Sequence, residues 1–240
     1  MTANDEHREL VRAIGARLAA VRARIAAAAE RAGRPAGEIE LVAVTKTHPP
    51  EAVRALFESG HRAVGENRVQ ELIAKMDALG GEGEWHLIGH LQRNKAAAIV
   101  GRAALIHSVD SVRLIEELNK RAEAKGVVQR VLLEINVAGE ANKTGAEPEA
   151  LGAMIEALAA APNLRAEGLM TMAPYSDDPE AARPHFARLR ELPASIPPSP
   201  HFRPIHLSMG MSGDFEVAIE EGATIVRIGT AILGERSARG

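Results

Sequence analysis

A lysine closes an uninterrupted apolar run, Leu41-Val42-Ala43-Val44-Thr45-Lys46, and His48-Pro49-Pro50 follows it. If that run is a strand of a parallel barrel, its C-terminal end opens at the mouth, where active-site residues gather. Desolvation lowers the pKa of an enclosed lysine and frees its amine for Schiff-base chemistry. The same position also suits a strand-end lysine that snorkels to solvent. A second constellation lies late in the chain. His206-Leu207-Ser208-Met209-Gly210-Met211-Ser212-Gly213 reads as a strand, a small-residue turn and then an acidic helix. Val226-Arg227-Ile228-Gly229-Thr230-Ala231 reads as a strand ending in arginine and then Gly-Thr. Hydroxyls and backbone N–H groups beside glycine satisfy phosphate oxygens, and the last two strands of such barrels commonly hold one. Ordinary tight turns have the same composition.

Two further segments carry polar residues beside strands. In Val64-Gly65-Glu66-Asn67-Arg68, Glu66 and Asn67 stand where a helix begins, so they read as caps, although Asn67 also faces the expected mouth. His86 and His90 are four apart in Trp85-His86-Leu87-Ile88-Gly89-His90. On a helix that spacing suits a metal, but the apolar run reads as a strand and a turn, which argues against one. His206 reads as a hydrogen-bonded core histidine.

The elements that must position these residues follow from periodicity. Leu10, Ile14, Leu18, Val21 and Ile25 recur at helical spacing, so residues 4–32 form a leading helix stopped by Gly33 and Pro35. Eight apolar runs then alternate with helix-length stretches: 41–45, 62–64, 85–89, 104–109, 131–137, 167–172, 204–209 and 224–228. Alternation of this kind predicts a parallel sheet, and eight units predict a (β/α)8 barrel forming a single domain over residues 1–240. An open doubly wound sheet for a dinucleotide would show G-x-G-x-x-G after its first strand, and none is present. The short Pro-rich stretch 196–200 reads as a rigid loop.

Composition narrows the function classes. With no cysteine, the chain has no disulfide, thiolate metal site or cysteine nucleophile. One Trp and one Tyr leave little for base stacking, and 29 basic against 32 acidic residues is no polycation. A cytoplasmic enzyme or small-molecule binder is expected, with neither nucleic acid nor membrane as partner. No stretch approaches the ~18 apolar residues of a membrane span, and the N-terminus lacks a secretion signal.

Taken together, these segments resemble the pyridoxal-phosphate homeostasis proteins of the YggS/PROSC type. The likeness also runs through His107-Ser108-Val109-Asp110, Glu134-Ile135-Asn136-Val137, Lys143-Thr144-Gly145 and Gly168-Leu169-Met170-Thr171-Met172. It implies a barrel akin to the N-terminal domain of alanine racemase, with pyridoxal 5'-phosphate (PLP) held as a Lys46 aldimine. It implies that Ser208, Gly229 and Thr230 hold the phosphate, that Arg227 faces the pyridine nitrogen, and that Asn67 lies near the ring. A monomer that stores, buffers or delivers PLP, with apo-enzymes as its partners, is the function implied.

Arginine can only donate to the ring nitrogen, which weakens the electron sink that carbanion chemistry needs. The alternative is a PLP-dependent racemase, which requires a second base. Enzymes of the alanine racemase type take theirs, a tyrosine, from a C-terminal domain. The chain ends six residues after Gly234, and its one tyrosine, Tyr175, stands at an unmatched position. A Schiff-base aldolase is a third reading, but its lysine usually comes from a later strand.

Overall fold

The computed structural model describes residues 2–140, 144–195 and 199–234. Helix α1, Ala3–Arg31, begins with a capping box between Thr2 and Asp5, which satisfies backbone N–H groups that the first turn leaves open. Its face of Ile14, Leu18, Val21 and Ile25 is buried as the spacing predicts. Strands follow at β1 Glu40–Val44, β2 Ala63–Glu66, β3 Glu84–Leu87 and β4 Leu105–Val109. The second half supplies β5 Gln129–Glu134, β6 Leu164–Met170, β7 Phe202–Ser208 and β8 Ile225–Ile228. Each predicted run overlaps one strand, with ends displaced by at most three residues. Helices α2, Pro50–Glu58, and α3, Val69–Ala78, follow β1 and β2.

The strands pair in chain order, all parallel, and β8 returns to β1 to close the barrel. In register, Val42 of β1 faces Arg227 of β8 and Ala43 faces Ile228. Two apolar layers result. The larger lies between sheet and helices; the smaller fills the barrel with Val42, Ala63, Leu105, Leu132, Met170 and Ile225. Strands buried on both faces lose the polar alternation that would tell inside from outside. Gly168 is required in β6, because a Cβ there would collide with the carbonyl oxygen of His206 and stand 2.7 Å from its carbon. Among the described residues, no helix is long and apolar enough to cross a membrane. Part of the Pro-rich stretch, residues 196–198, lies outside the described residues.

Candidate functional site

Lys46 is partly buried and follows β1 in the turn at the barrel mouth. Its neighbours are fixed by a buried polar cluster. Thr45 donates from Oγ1 to Glu66 Oε1 at 2.5 Å. Lys75 of α3 donates to the Thr45 carbonyl at 2.8 Å, to Glu66 Oε1 at 2.6 Å and to Glu71 Oε1 at 2.7 Å. The same Glu71 oxygen accepts the backbone N–H of Thr47 at 2.7 Å. Thr47 has φ of 68°, a left-handed conformation that β-branched residues rarely adopt. The turn carrying Lys46 is thus clamped on both sides. Glu66 is the last residue of β2 and wholly buried, which corrects its reading as a cap. Burial raises its carboxyl pKa, opposed by the hydrogen bonds from Lys75 and Thr45.

Arg227, on the strand beside β1, is also buried. Its Nη1 donates to Ser208 Oγ at 2.6 Å and its Nη2 to the Thr171 carbonyl at 2.9 Å. No carboxylate lies within ion-pair distance of it among the described residues. Burial pulls its pKa down to about 10, against the attraction of Glu134 and Asp214. Ser208 Oγ lies 2.8 Å from His107 Nδ1 as well, and Ser208 is wholly buried. With both neighbours engaging that hydroxyl, Ser208 belongs with Arg227. Ser212, in the turn after β7, is partly buried.

Gly229 and Thr230 follow β8 at the end of the barrel where Lys46 follows β1. Thr230 is exposed, and a Cβ on Gly229 would stand 3.2 Å from the Val44 carbonyl oxygen. Asn67 follows β2 at the same mouth. Its backbone lies so close to Gly89 that a Cβ there would meet the Asn67 carbonyl and stand 2.7 Å from its Cα. Asn67 borders a cavity of about 280 Å³ lined also by Arg68, His90, Gln92 and Lys95.

Other residues separate from the site. His90 Nδ1 lies 3.2 Å from Asp110, whereas His86 engages His107 and stands near Glu40. His206 is half-buried rather than a core residue, with Nδ1 3.3 Å from Thr224 Oγ1. Tyr175 is 90% exposed, and its hydroxyl donates to Asp177 at 2.8 Å. Lys143 lies outside the described residues, whereas Thr144 donates to Glu134 Oε1 at 2.5 Å. Sequence reasoning missed Lys75, Glu66, His107 and Thr171 as members of the cluster. For Glu66, His107 and Thr171 the one signal was position, polar residues in or beside strands that are otherwise apolar; Lys75, inside α3, gave none.

The family described as "Alanine racemase, N-terminal domain" matches residues 16–237. A pyridoxal phosphate homeostasis protein from Aquifex aeolicus is 49% identical over 221 residues, covering 92% of this chain and 97% of the relative. PipY from Synechococcus elongatus, solved with PLP bound, superposes with a TM-score of 0.78 at 36% identity, covering 92% of this chain and 100% of PipY. PipY solved without PLP gives a TM-score of 0.80 at 37% identity, with the same coverage. With its closed eight-stranded parallel barrel and these relatives, the chain belongs to the alanine racemase N-terminal-domain family, among the pyridoxal phosphate homeostasis proteins.

Proposed function

We propose that this protein binds pyridoxal 5'-phosphate and serves PLP homeostasis, holding the cofactor for storage, buffering or delivery. The observation that carries this reading is the buried Arg227 guanidinium, held by two neutral oxygens, on the strand next to the one that leads to Lys46. A buried cation without a carboxylate partner suits an electron-rich acceptor such as a pyridine nitrogen. The donor set fits the rest of the molecule. Lys46 supplies an amine for the aldehyde, and Gly229 and Thr230 supply backbone N–H groups and a hydroxyl for the phosphate. Asn67 borders the ring. The relatives support the same reading, since the Aquifex aeolicus protein is named for PLP homeostasis and PipY was solved with PLP bound.

When bound, PLP supplies an aldehyde that condenses with amines and a ring that withdraws electrons. Arg227 keeps its proton and donates only a hydrogen bond, leaving the ring nitrogen unprotonated and the electron sink weak. Ser208 and Thr171 orient the guanidinium, and the clamp of Thr45, Lys75 and Glu71 orients the Lys46 turn. These features favour a holder over a racemase. Tyr175, turned to solvent and bonded to Asp177, is poorly placed as a second base. A monomer in the cytoplasm, handing PLP to apo-enzymes, completes the reading.

Incubation with PLP should give a yellow protein, and borohydride should fix a pyridoxyl mass on the Lys46 peptide. A chain that stays colourless at millimolar PLP sinks the proposal. Label on another lysine would reassign the anchor.

A further inference from the structure

Glu40 opens β1 and Glu84 opens β3, so both stand at the barrel floor, opposite the mouth. A line of polar side chains joins floor to mouth through an interior that is otherwise largely apolar. His86 Nε2 lies 3.4 Å from Glu40 Oε1, a charge–dipole approach rather than a close hydrogen bond. His86 Nδ1 lies 2.9 Å from His107 Nε2. His107 Nδ1 lies 2.8 Å from Ser208 Oγ, which accepts from Arg227 at 2.6 Å.

The two ends set the direction of this line. A guanidinium only donates, and an ionised carboxylate only accepts. Ser208 has one proton. Arg227 occupies one lone pair, and the other recorded neighbour of the hydroxyl is His107 Nδ1, so the proton goes there. Burial holds the His86 pKa down at about 3 and that of His107 well below its ordinary value, so both rings are neutral. A neutral imidazole that accepts at one nitrogen donates from the other. His107 Nε2–H therefore points at His86 Nδ1, which leaves the His86 proton on Nε2, the nitrogen 3.4 Å from Glu40 Oε1. The reverse direction would strand the Ser208 proton among the described residues and turn a bare ring nitrogen toward a carboxylate.

We propose that His107 and His86 are positioning residues for Arg227, forming a one-way hydrogen-bond relay that ends at His86, beside Glu40. The relay keeps a Ser208 lone pair turned to Arg227 and the guanidinium aimed at the acceptor bound in the mouth; for the identity of that acceptor it rests on the PLP reading. The direction also argues against a cation held by Glu40, Glu84 and His86, whose ligand atoms lie within 4.8 Å of one another. The His86 nitrogen that faces the carboxylates carries a proton, and a metal needs its lone pair.

The relay can be read without cofactor. In the full chain labelled with ¹⁵N at histidine, His86 and His107 are expected as neutral Nε2–H tautomers near pH 7. An Nδ1–H tautomer or an imidazolium at either position overturns the relay. Ser208→Ala removes the proton that pins His107, so its Nδ1–H tautomer should become populated; an unchanged His107 signal overturns the proposal too. The second arm uses PLP. His107→Leu should weaken PLP retention about tenfold, the scale of one hydrogen bond to a charged group, and shift the bound absorbance. His107→Asn, whose Oδ1 accepts where Nδ1 did, should restore both. Retention and spectrum in His107→Leu equal to those of the unaltered chain would overturn the positioning role. Ser208→Ala carries the same PLP comparison where His107→Leu fails to fold. If the unaltered chain takes up no PLP, the proposed function fails, while the tautomers still decide the relay.

Discussion

Lys75 Nζ lies 2.6 Å from Glu66 Oε1 where neither side chain reaches much water: their exposures are 6% and 0%. The same ammonium holds the Thr45 carbonyl and Glu71, whose carboxylate holds the N–H of Thr47. One cation in α3 therefore ties together both flanks of Lys46. Losing one partner of a buried pair leaves the other charge uncompensated, which is costlier than losing the attraction alone.

Lys75→Met should lower stability by about 3–5 kcal/mol, the scale for a broken buried pair. Urea unfolding measures it. Adding Glu66→Gln to that variant should recover part of the loss, because it removes the stranded charge. A loss below ~1 kcal/mol, the range of an exposed pair, would contradict the buried clamp.

Arg227→Gln keeps a hydrogen-bond donor but removes the cation. It should weaken PLP retention by about tenfold or more and move the absorbance of the bound cofactor. Dialysis followed by a spectrum checks both. Retention and spectrum like those of the unaltered protein would remove Arg227 from the site.

Acid should destabilise the fold through the interior histidines. Their folded pKa values are depressed, so the unfolded chain binds more protons than the native one. Their contribution is fully present above about 6.5 and is lost as pH falls, for His86 down to about 3. Each neutral buried ring loses about 1.4 kcal/mol per pH unit within its window. Glu66 and Glu134 act oppositely: burial raises their pKa values, so their contribution is present at low pH and lost as pH rises through the folded values. The histidine share is therefore read as a difference. Between pH 7 and 5 the unaltered protein should lose about 2 kcal/mol more than His86→Gln. Parallel losses would show that His86 protonates as readily in the folded chain as in the unfolded one.

Gly89→Ala should displace the loop that carries Asn67, since the new methyl group would collide with the Asn67 backbone. The expected cost is about 1–3 kcal/mol of stability, the range for overpacking, together with weaker PLP binding. A fully stable variant with unchanged PLP affinity would show that the two loops separate at little cost.

Racemisation offers a direct contest between holder and enzyme. Incubated with PLP and L-alanine, the protein should produce no sustained D-enantiomer, and Tyr175→Phe should change nothing. Turnover that disappears in Lys46→Ala would overturn the holder reading.

The sequence by itself determined the order of elements and the strand ends that carry chemistry. The spacing of Ile14, Leu18, Val21 and Ile25 is the helix face that α1 buries, and the run before Lys46 is β1. Both are local signals, because a helix or a strand imposes its period on neighbouring residues. The partners were decided only by closure of the barrel. His107 meets a serine 101 positions away, Ser208 meets Arg227 at a separation of 19, and His86 meets His107 at 21. Glu66 looked like a cap from its place before a helix, yet β2 runs through it and delivers it to Lys75. Periodicity marks which residues share a face, but a strand covered on both faces conceals which face is the inside. Which side chain stands opposite is set by strand register around a closed sheet, a relationship no local stretch of chain contains.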